Sequence, residues 1–192
     1  MLINILDLKH LLNHINQLPS EGVSEIMGEI LSKTPWIGWE IGPDSDRDGH
    51  IYCALTCDGN RECLQEISDD LGLPIHESNW VIVAGSPPKL WDMYFEIHDG
   101  QNFVEIDAGK WAWHVNQSGK LEILLHDVDG IMDKSEILKI FLIGELGEII
   151  YSALKSSFCF STKKFDVNYC NIRDLKSYVE KELQNVKNAL GG

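Results

Sequence analysis

Hydrophobic residues recur at intervals of three or four near both ends of the chain, a spacing typical of amphipathic helices. Residues 5–18 show this spacing, and Pro19 with Ser20 separates that helix from a second one that extends to about Lys33. The segment after Asn171 shows the same spacing. We therefore predict an N-terminal helical pair and a C-terminal helix.

The middle of the chain carries shorter apolar runs, which are typical of strands. Residues 36–41 and 50–57 flank a loop rich in Asp and Gly, and residues 79–85 form a third run. Between the second and third runs, Asp58 and Gly72 mark the beginning and the end of a further helix. This part of the chain is therefore expected to alternate strands with one helix.

Alternating apolar and polar residues after position 92 predict a meander of antiparallel strands. Turns at residues 99–100 and 108–109 and a loop at residues 116–120 place apolar side chains opposite one another. One face of the meander is then apolar throughout. The expected cross-strand partners are Phe95 with Val104, Met93 with Ile106, Val104 with Trp113, and Trp113 with Ile123.

A long buried helix is predicted next, because Asp133 can cap an apolar segment that extends to about Leu154. Together these elements predict an α+β fold, in which an antiparallel β-sheet meander has helices packed mainly on one face. Since no linker or low-complexity tract interrupts the chain, we expect a single α+β domain over residues 1–192.

The charge of the chain is large and unevenly placed. The sequence has 16 Lys+Arg against 30 Asp+Glu, a formal net charge of −14. Residues 1–132 hold 22 of the acidic and 7 of the basic residues, a net charge of −15, which leaves +1 for residues 133–192. No basic stripe with interleaved aromatic residues occurs, which argues against nucleic-acid binding. An acidic surface attracts basic proteins, although many cytoplasmic proteins are acidic only for solubility.

The cysteines favour a reduced chain. Five cysteines are an odd count, and Asp7 interrupts the first apolar run where a signal peptide would continue it. Charged residues also interrupt the longest apolar stretch, residues 137–154, so it predicts a buried helix and not a membrane span. We expect Cys53, Cys57 and Cys63 to be small buried thiols, and the protein to be cytoplasmic with no membrane partner.

One loop carries the spacing of a calcium ligand set. Residues 44–49 read Asp-Ser-Asp-Arg-Asp-Gly, which resembles the first half of an EF-hand loop over these few residues only. Asp44, Asp46 and Asp48 would supply the oxygen ligands. The twelfth position is Leu55 where the loop expects Glu, so an acidic hairpin turn stays open as the alternative.

A second candidate metal site lies on the polar face of the predicted meander. The expected register places His114 opposite Glu122, with Glu105 one diagonal step away. Imidazole and carboxylate groups bind zinc or another divalent cation, and an open ligand position could activate water. The alternative is an ordinary solvated face of a half-buried sheet.

The sequence contains none of the common catalytic motifs, because G-x-S-x-G, a Walker loop, G-x-G-x-x-G and H-E-x-x-H are all absent. We therefore predict a non-catalytic acidic binding protein that engages a basic protein partner, a class that includes toxin-neutralising immunity proteins. No cofactor is expected beyond calcium or another divalent metal. Two alternatives stay open: a metal-dependent enzyme using the His/Glu site, and a calcium-stabilised module.

Overall fold

The computed structural model describes residues 20–32, 36–44, 47–99, 102–128, 133–164 and 167–190. These residues form both helices and strands in the proportions of an α+β protein, so the predicted fold class is confirmed. The helix predicted over residues 5–18 lies outside the described residues. The α-helices are α1 Ser20–Leu31, α2 Arg61–Leu71, α3 Lys134–Leu146, α4 Glu148–Leu154 and α5 Leu175–Leu190.

The strands belong to two compact units of the chain. Unit 1 comprises residues 1–89 and 146–153, and unit 2 comprises residues 90–145 and 154–192. The single domain expected from the sequence stays a prediction. Unit 1 contains β1 Gly38–Pro43, β2 Ile51–Thr56, β3 Ile75–Glu77 and β4 Trp80–Ala84. Unit 2 contains β5 Tyr94–Asp99, β6 Asn102–Asp107, β7 Ala112–Val115, β8 Leu121–Leu124, β9 Phe158–Ser161 and β10 Cys170–Asn171.

The sheet of unit 1 has the strand order β1-β2-β4-β3 and is mixed. β2 pairs with β1 in the antiparallel sense and with β4 in the parallel sense, and the chain crosses from β2 towards β4 through α2. Alternate side chains of β2 and β4 share one face and join a core that includes residues of α1 and α2. This core includes Val23, Met27, Cys53, Leu55, Leu64, Ile67, Trp80 and Ile82.

Asn60 and Gly72 lie at the two ends of α2 and cap the helix. The Asn60 side chain accepts a hydrogen bond from the Cys63 backbone N–H at 3.3 Å, so Asn60 and not Asp58 is the N-cap. Asp58 instead lies in the preceding turn with a φ of +55°. Gly72 ends the helix at a φ of +70°, a conformation that glycine adopts without strain, as predicted.

Unit 2 contains a two-stranded hairpin, β5–β6, and a sheet with the order β10-β7-β8-β9. The predicted continuous meander is therefore wrong. Residues 108–110 form a 3-10 helix in place of a tight turn, and β6 and β7 belong to different sheets. In addition, β9 pairs with β8 in the parallel sense.

The registers of the β5–β6 and β7–β8 hairpins agree with the predicted registers only in part. Trp113 lies opposite Ile123, as predicted. Phe95 lies opposite Ile106 and not Val104, because Asp99 pairs with Asn102. This is a shift of two residues, and a shift of two keeps each side chain on the expected face.

An aromatic cluster fills the interior of unit 2. Trp111 contacts Phe141 at a ring-centroid distance of 5.2 Å, and Trp91 and Phe95 extend the cluster. The Trp111 indole N–H donates to the His126 carbonyl oxygen at 3.0 Å, so the buried polar group has a partner.

The helix predicted from Asp133 to about Leu154 is two helices. Asp133 caps α3 as expected, since its Oδ1 accepts from the backbone N–H groups of Ser135 and Glu136 at 3.1 and 3.0 Å. α3 ends at Leu146, Gly147 follows with a φ of +81°, and α4 begins at Glu148. Among the described helices, none combines the length and the apolar character that a membrane crossing requires.

Cys57 and Cys63 are joined in a disulfide, with their Cα atoms 6.1 Å apart. The expectation that all the cysteines are thiols is therefore wrong for this pair. Cys53, Cys159 and Cys170 are free. An odd cysteine count excludes full pairing but leaves any one pair free to form, so the count could not predict this bond.

The cysteine pairing is checked by alkylation of the denatured chain without reductant. We expect three modified cysteines by mass spectrometry, because only Cys53, Cys159 and Cys170 carry thiols. Reduction before alkylation should raise the count to five. Five modified cysteines without reductant would show that the disulfide is absent.

Candidate functional site

The predicted calcium loop connects β1 to β2 in an antiparallel hairpin. The Asp44 backbone N–H donates to the His50 carbonyl oxygen at 2.9 Å, and Gly49 takes the turn with a φ of +74°. The Asp48 side chain is exposed, while Asp46 lies outside the described residues. The ligand set is therefore not described as a whole, and calcium binding stays a prediction.

The predicted His/Glu site is brought together only in part. His114 lies directly opposite Glu122 across β7 and β8, with 3.8 Å between Nε2 and Oε2 and both side chains largely buried. Glu105 lies on β6, in the separate hairpin, because the 3-10 helix at residues 108–110 replaces the expected turn. The register that joined Glu105 to the pair is wrong. In the part of the chain that the structure describes, no group of three His, Cys, Asp or Glu residues is arranged to hold a metal ion.

The neighbours of Glu122 do not form a nucleophilic site. The Asn116 amide donates to Glu122 Oε2 at 3.2 Å and approaches the Cys159 sulfur at 3.4 Å. Burial raises the pKa of the Cys159 thiol, and the nearby Glu122 carboxylate raises it further. A reactive cysteine needs the opposite shift, so Cys159 is a poor nucleophile at neutral pH.

A buried carboxylate in unit 1 has a structural role. Glu148 is 1% exposed, and its Oε1 accepts from the backbone N–H groups of Cys57 and Gly59 at 2.9 and 2.7 Å. Its Oε2 accepts from the Ser86 N–H at 3.2 Å. These three hydrogen bonds offset the cost of burying the carboxylate, and they give three backbone N–H groups an acceptor that they would otherwise lack.

A second polar cluster surrounds Glu40 on β1. Its carboxylate accepts hydrogen bonds from Tyr52 and from the Ser86 hydroxyl, the latter at 3.0 Å, and pairs with Lys89 at 3.3 Å. A serine beside a carboxylate is one element of a nucleophilic site. Ser86 is only 5% exposed, however, so the hydroxyl is not accessible to a substrate.

The outward side of the β5–β6 hairpin combines acidic and aromatic side chains. We call this surface the hairpin face. Phe103 is 76% exposed and Tyr94 is 43% exposed, which is unusual for large rings on a small sheet. The hairpin face consists of Tyr94, Glu96, His98, Phe103, Glu105 and Asp107.

The charges of the hairpin face are close together and largely uncompensated. Glu96 lies directly opposite Glu105, and within the described residues neither has a basic partner. A hydrogen bond to Glu105, partial burial and the surrounding carboxylates raise the pKa of Tyr94 to about 12. Asp107 differs, because Lys110 approaches it to 3.2 Å. Between Lys89 and Lys110 the sequence has five acidic residues and no Lys or Arg.

The sequence pattern identified part of this face and missed the rest. Glu105 was assigned to a metal site with residues of another sheet. The exposed rings of Tyr94 and Phe103 were not identified, although both alternate with apolar residues that face inward. That alternation is the signal that could have found them.

Replacing Glu148 tests its structural role. We expect Glu148→Ala to lower the free energy of unfolding by about 3 kcal/mol or more, because three buried N–H groups lose their acceptor. Glu148→Gln should cost less, since an amide oxygen still accepts. Denaturant unfolding measures the change, with Glu62→Ala, at an exposed position of α2, as the control. A cost below about 1 kcal/mol for Glu148→Ala would contradict the role.

The geometry of the hairpin face is tested by titrating Tyr94. In Glu105→Gln the pKa of Tyr94 should fall from about 12 towards 10.0, because the charged acceptor that stabilises the neutral phenol is lost. NMR titration of the Tyr94 ring measures the shift, and Tyr94→Phe identifies the signal. An unchanged Tyr94 pKa in Glu105→Gln would show that the two side chains do not interact.

Comparison with known proteins gives no match to a protein family, a curated protein or a solved structure. Neither the fold nor the polar clusters can therefore be interpreted through a relative.

Proposed function

We propose that this chain is a non-catalytic binding protein that engages a basic protein partner through the hairpin face. The observation that carries the proposal is the pair Glu96 and Glu105, which lie opposite each other without a basic partner in the described part of the chain. Tyr94 and Phe103 expose their rings on the same face. Together these groups provide the chemistry that recognises an arginine or lysine side chain.

The energetics of the face favour an occupied state. Like charges directly opposite on neighbouring strands destabilise a hairpin. A cation placed between Glu96 and Glu105 turns that repulsion into two attractions. An adjacent aromatic ring adds roughly 0.5–2 kcal/mol through a cation–π contact, depending on how far the pair is desolvated.

The net charge of −14 supports the same class of partner at longer range. A strongly acidic protein speeds its encounter with a basic one, and the effect weakens as salt screens the charges. Toxin-neutralising immunity proteins combine small size with such a charge, and we propose this type of function. The inaccessible Ser86 and the protonated Cys159 favour a binding role over a catalytic one.

A cytoplasmic location is part of this proposal. The Cys57–Cys63 disulfide is the feature that argues against it, since disulfides are rare in reducing compartments. The redox state of Cys57 and Cys63 in the source cell decides whether a cytoplasmic location is correct.

The proposal is tested with a labelled peptide of alternating Arg and Gly as a model for a basic partner. We expect the affinity of the full chain to fall steeply between low and physiological salt. The double variant Glu96→Gln with Glu105→Gln should lose about tenfold in affinity at low salt, because two charges at the contact are removed. Fluorescence anisotropy measures both effects.

A matched control separates the hairpin face from net charge alone. Glu62→Gln with Glu66→Gln removes two exposed carboxylates from α2 and changes the net charge by the same amount. This control should bind the peptide as the wild type does. An equal loss in both double variants would refute the hairpin face as the binding surface.

A further inference from the structure

A cavity of about 490 Å³ opens between β7 and the segment that leads into α5. It exists because β10 is only two residues long and pairs with β7 at Ala112 and Trp113 alone, while the lining continues to His114 and Val115. Its volume lies within the range of sites for small molecules. It shares no residue with the hairpin face.

Aromatic rings form the walls of this cavity. Trp113 and Tyr178 pack with ring centroids 4.6 Å apart, and the next lining residue, His114, projects from the opposite face of β7. The Trp113 indole N–H already donates to the Asn171 carbonyl oxygen at 2.9 Å. Trp113 is only 4% exposed, so the ring that a ligand can reach is that of the partly exposed Tyr178.

One lining residue carries a full charge, Asp174 in the turn before α5. Its side chain forms no hydrogen bond or ion pair with other described residues. The neighbouring Arg173 does not line the cavity, since its guanidinium lies close to Gly109. No Lys or Arg lines the cavity among the described residues, so an anionic ligand would meet only a negative charge.

Exposed valines complete the site. Val115 and Val167 line the cavity and are 48% and 44% exposed. Such side chains pack well along the aliphatic stem of a long cationic group. A metal ion is the poorer occupant, because no set of three ligating residues in the described chain is arranged to hold one.

We propose that this cavity binds an alkylguanidinium group, with the cation between the Tyr178 ring and Asp174 and the stem along the valines. A planar guanidinium stacks on aromatic faces and pairs with a carboxylate at once, which a compact ammonium does less well. The group comes either from an arginine side chain of a protein or from a free small-molecule guanidine. This proposal does not depend on the function proposed for the hairpin face.

The test uses N-acetyl-arginine amide as the probe and the neutral, nearly isosteric N-acetyl-citrulline amide as its control. Binding is followed by NMR through the Trp113 indole N–H, assigned with Trp113→Phe. We expect the arginine probe to shift this signal in a saturable way and the citrulline probe to leave it unchanged. Equal shifts with both probes, or none with either, would overturn the proposal.

Variants of Asp174 and of an acidic residue on α5 test whether the Asp174 carboxylate binds the arginine probe. Asp174→Asn keeps the shape of the side chain and should weaken binding of the arginine probe about tenfold, because one charged contact is lost. Glu180→Gln, exposed on α5, should have no effect. Unaltered affinity in Asp174→Asn would refute the role of the carboxylate. The Trp113 signal of each free variant reports whether the site is folded.

Two further arms distinguish the source of the group. Agmatine carries the guanidinium without a peptide backbone, so tighter binding of agmatine than of the arginine probe supports a free ligand. Tighter binding of an arginine within a longer peptide supports a protein side chain. The variant Glu96→Gln with Glu105→Gln should bind the arginine probe as the wild type does. Failure of the cavity and failure of the hairpin face are therefore separate results.

Discussion

The Glu148 carboxylate links parts of unit 1 that are far apart in the chain. Cys57 and Gly59 follow β2, and Ser86 follows β4, so the groups that bind the carboxylate lie beyond the carboxyl ends of two parallel strands. Backbone N–H groups in such connections are suited to an anion. Here the anion is a side chain of the protein itself, brought back by a segment that follows α3. A segment of eight residues thereby completes a unit whose other members end at residue 89.

The hydrogen bonds of Glu148 also show why some features could be predicted from the sequence and others could not. Periodicity and alternation depend on neighbours in the chain, so they placed α1, the strands β1, β2 and β4 of unit 1 and the inward side of the β5–β6 hairpin, but not the three-residue strand β3. The partners of Glu148 are 62 to 91 residues away along the chain, and nothing local marks them. The disulfide was missed for a different reason, because a count of cysteines does not report which two lie close together.

The predicted register of Glu105 with His114 and Glu122 is wrong because of one short segment. The sequence predicted a tight turn at residues 108–109, and a turn there would have joined β6 to β7 in one sheet. A 3-10 helix of three residues changes the direction of the chain and assigns the two strands to different sheets. The predicted pairing of His114 with Glu122 is correct, because the two strands are joined by the five-residue loop that the sequence predicts. The wrong prediction for this one connection assigned Glu105 to the wrong sheet. It did not change which side chains of each strand were expected to be polar.

The separation of β5 and β6 from the other strands has a mechanical consequence. Within the described residues this ribbon has no third strand, and two-stranded ribbons twist more strongly and more variably than wider sheets. Its inward side chain Phe95 joins the aromatic interior of unit 2, while Tyr94 and Phe103 on its outward side are exposed. The two like charges that lie directly opposite each other, Glu96 and Glu105, are thus carried by a ribbon whose twist no neighbouring strand restrains within the described residues.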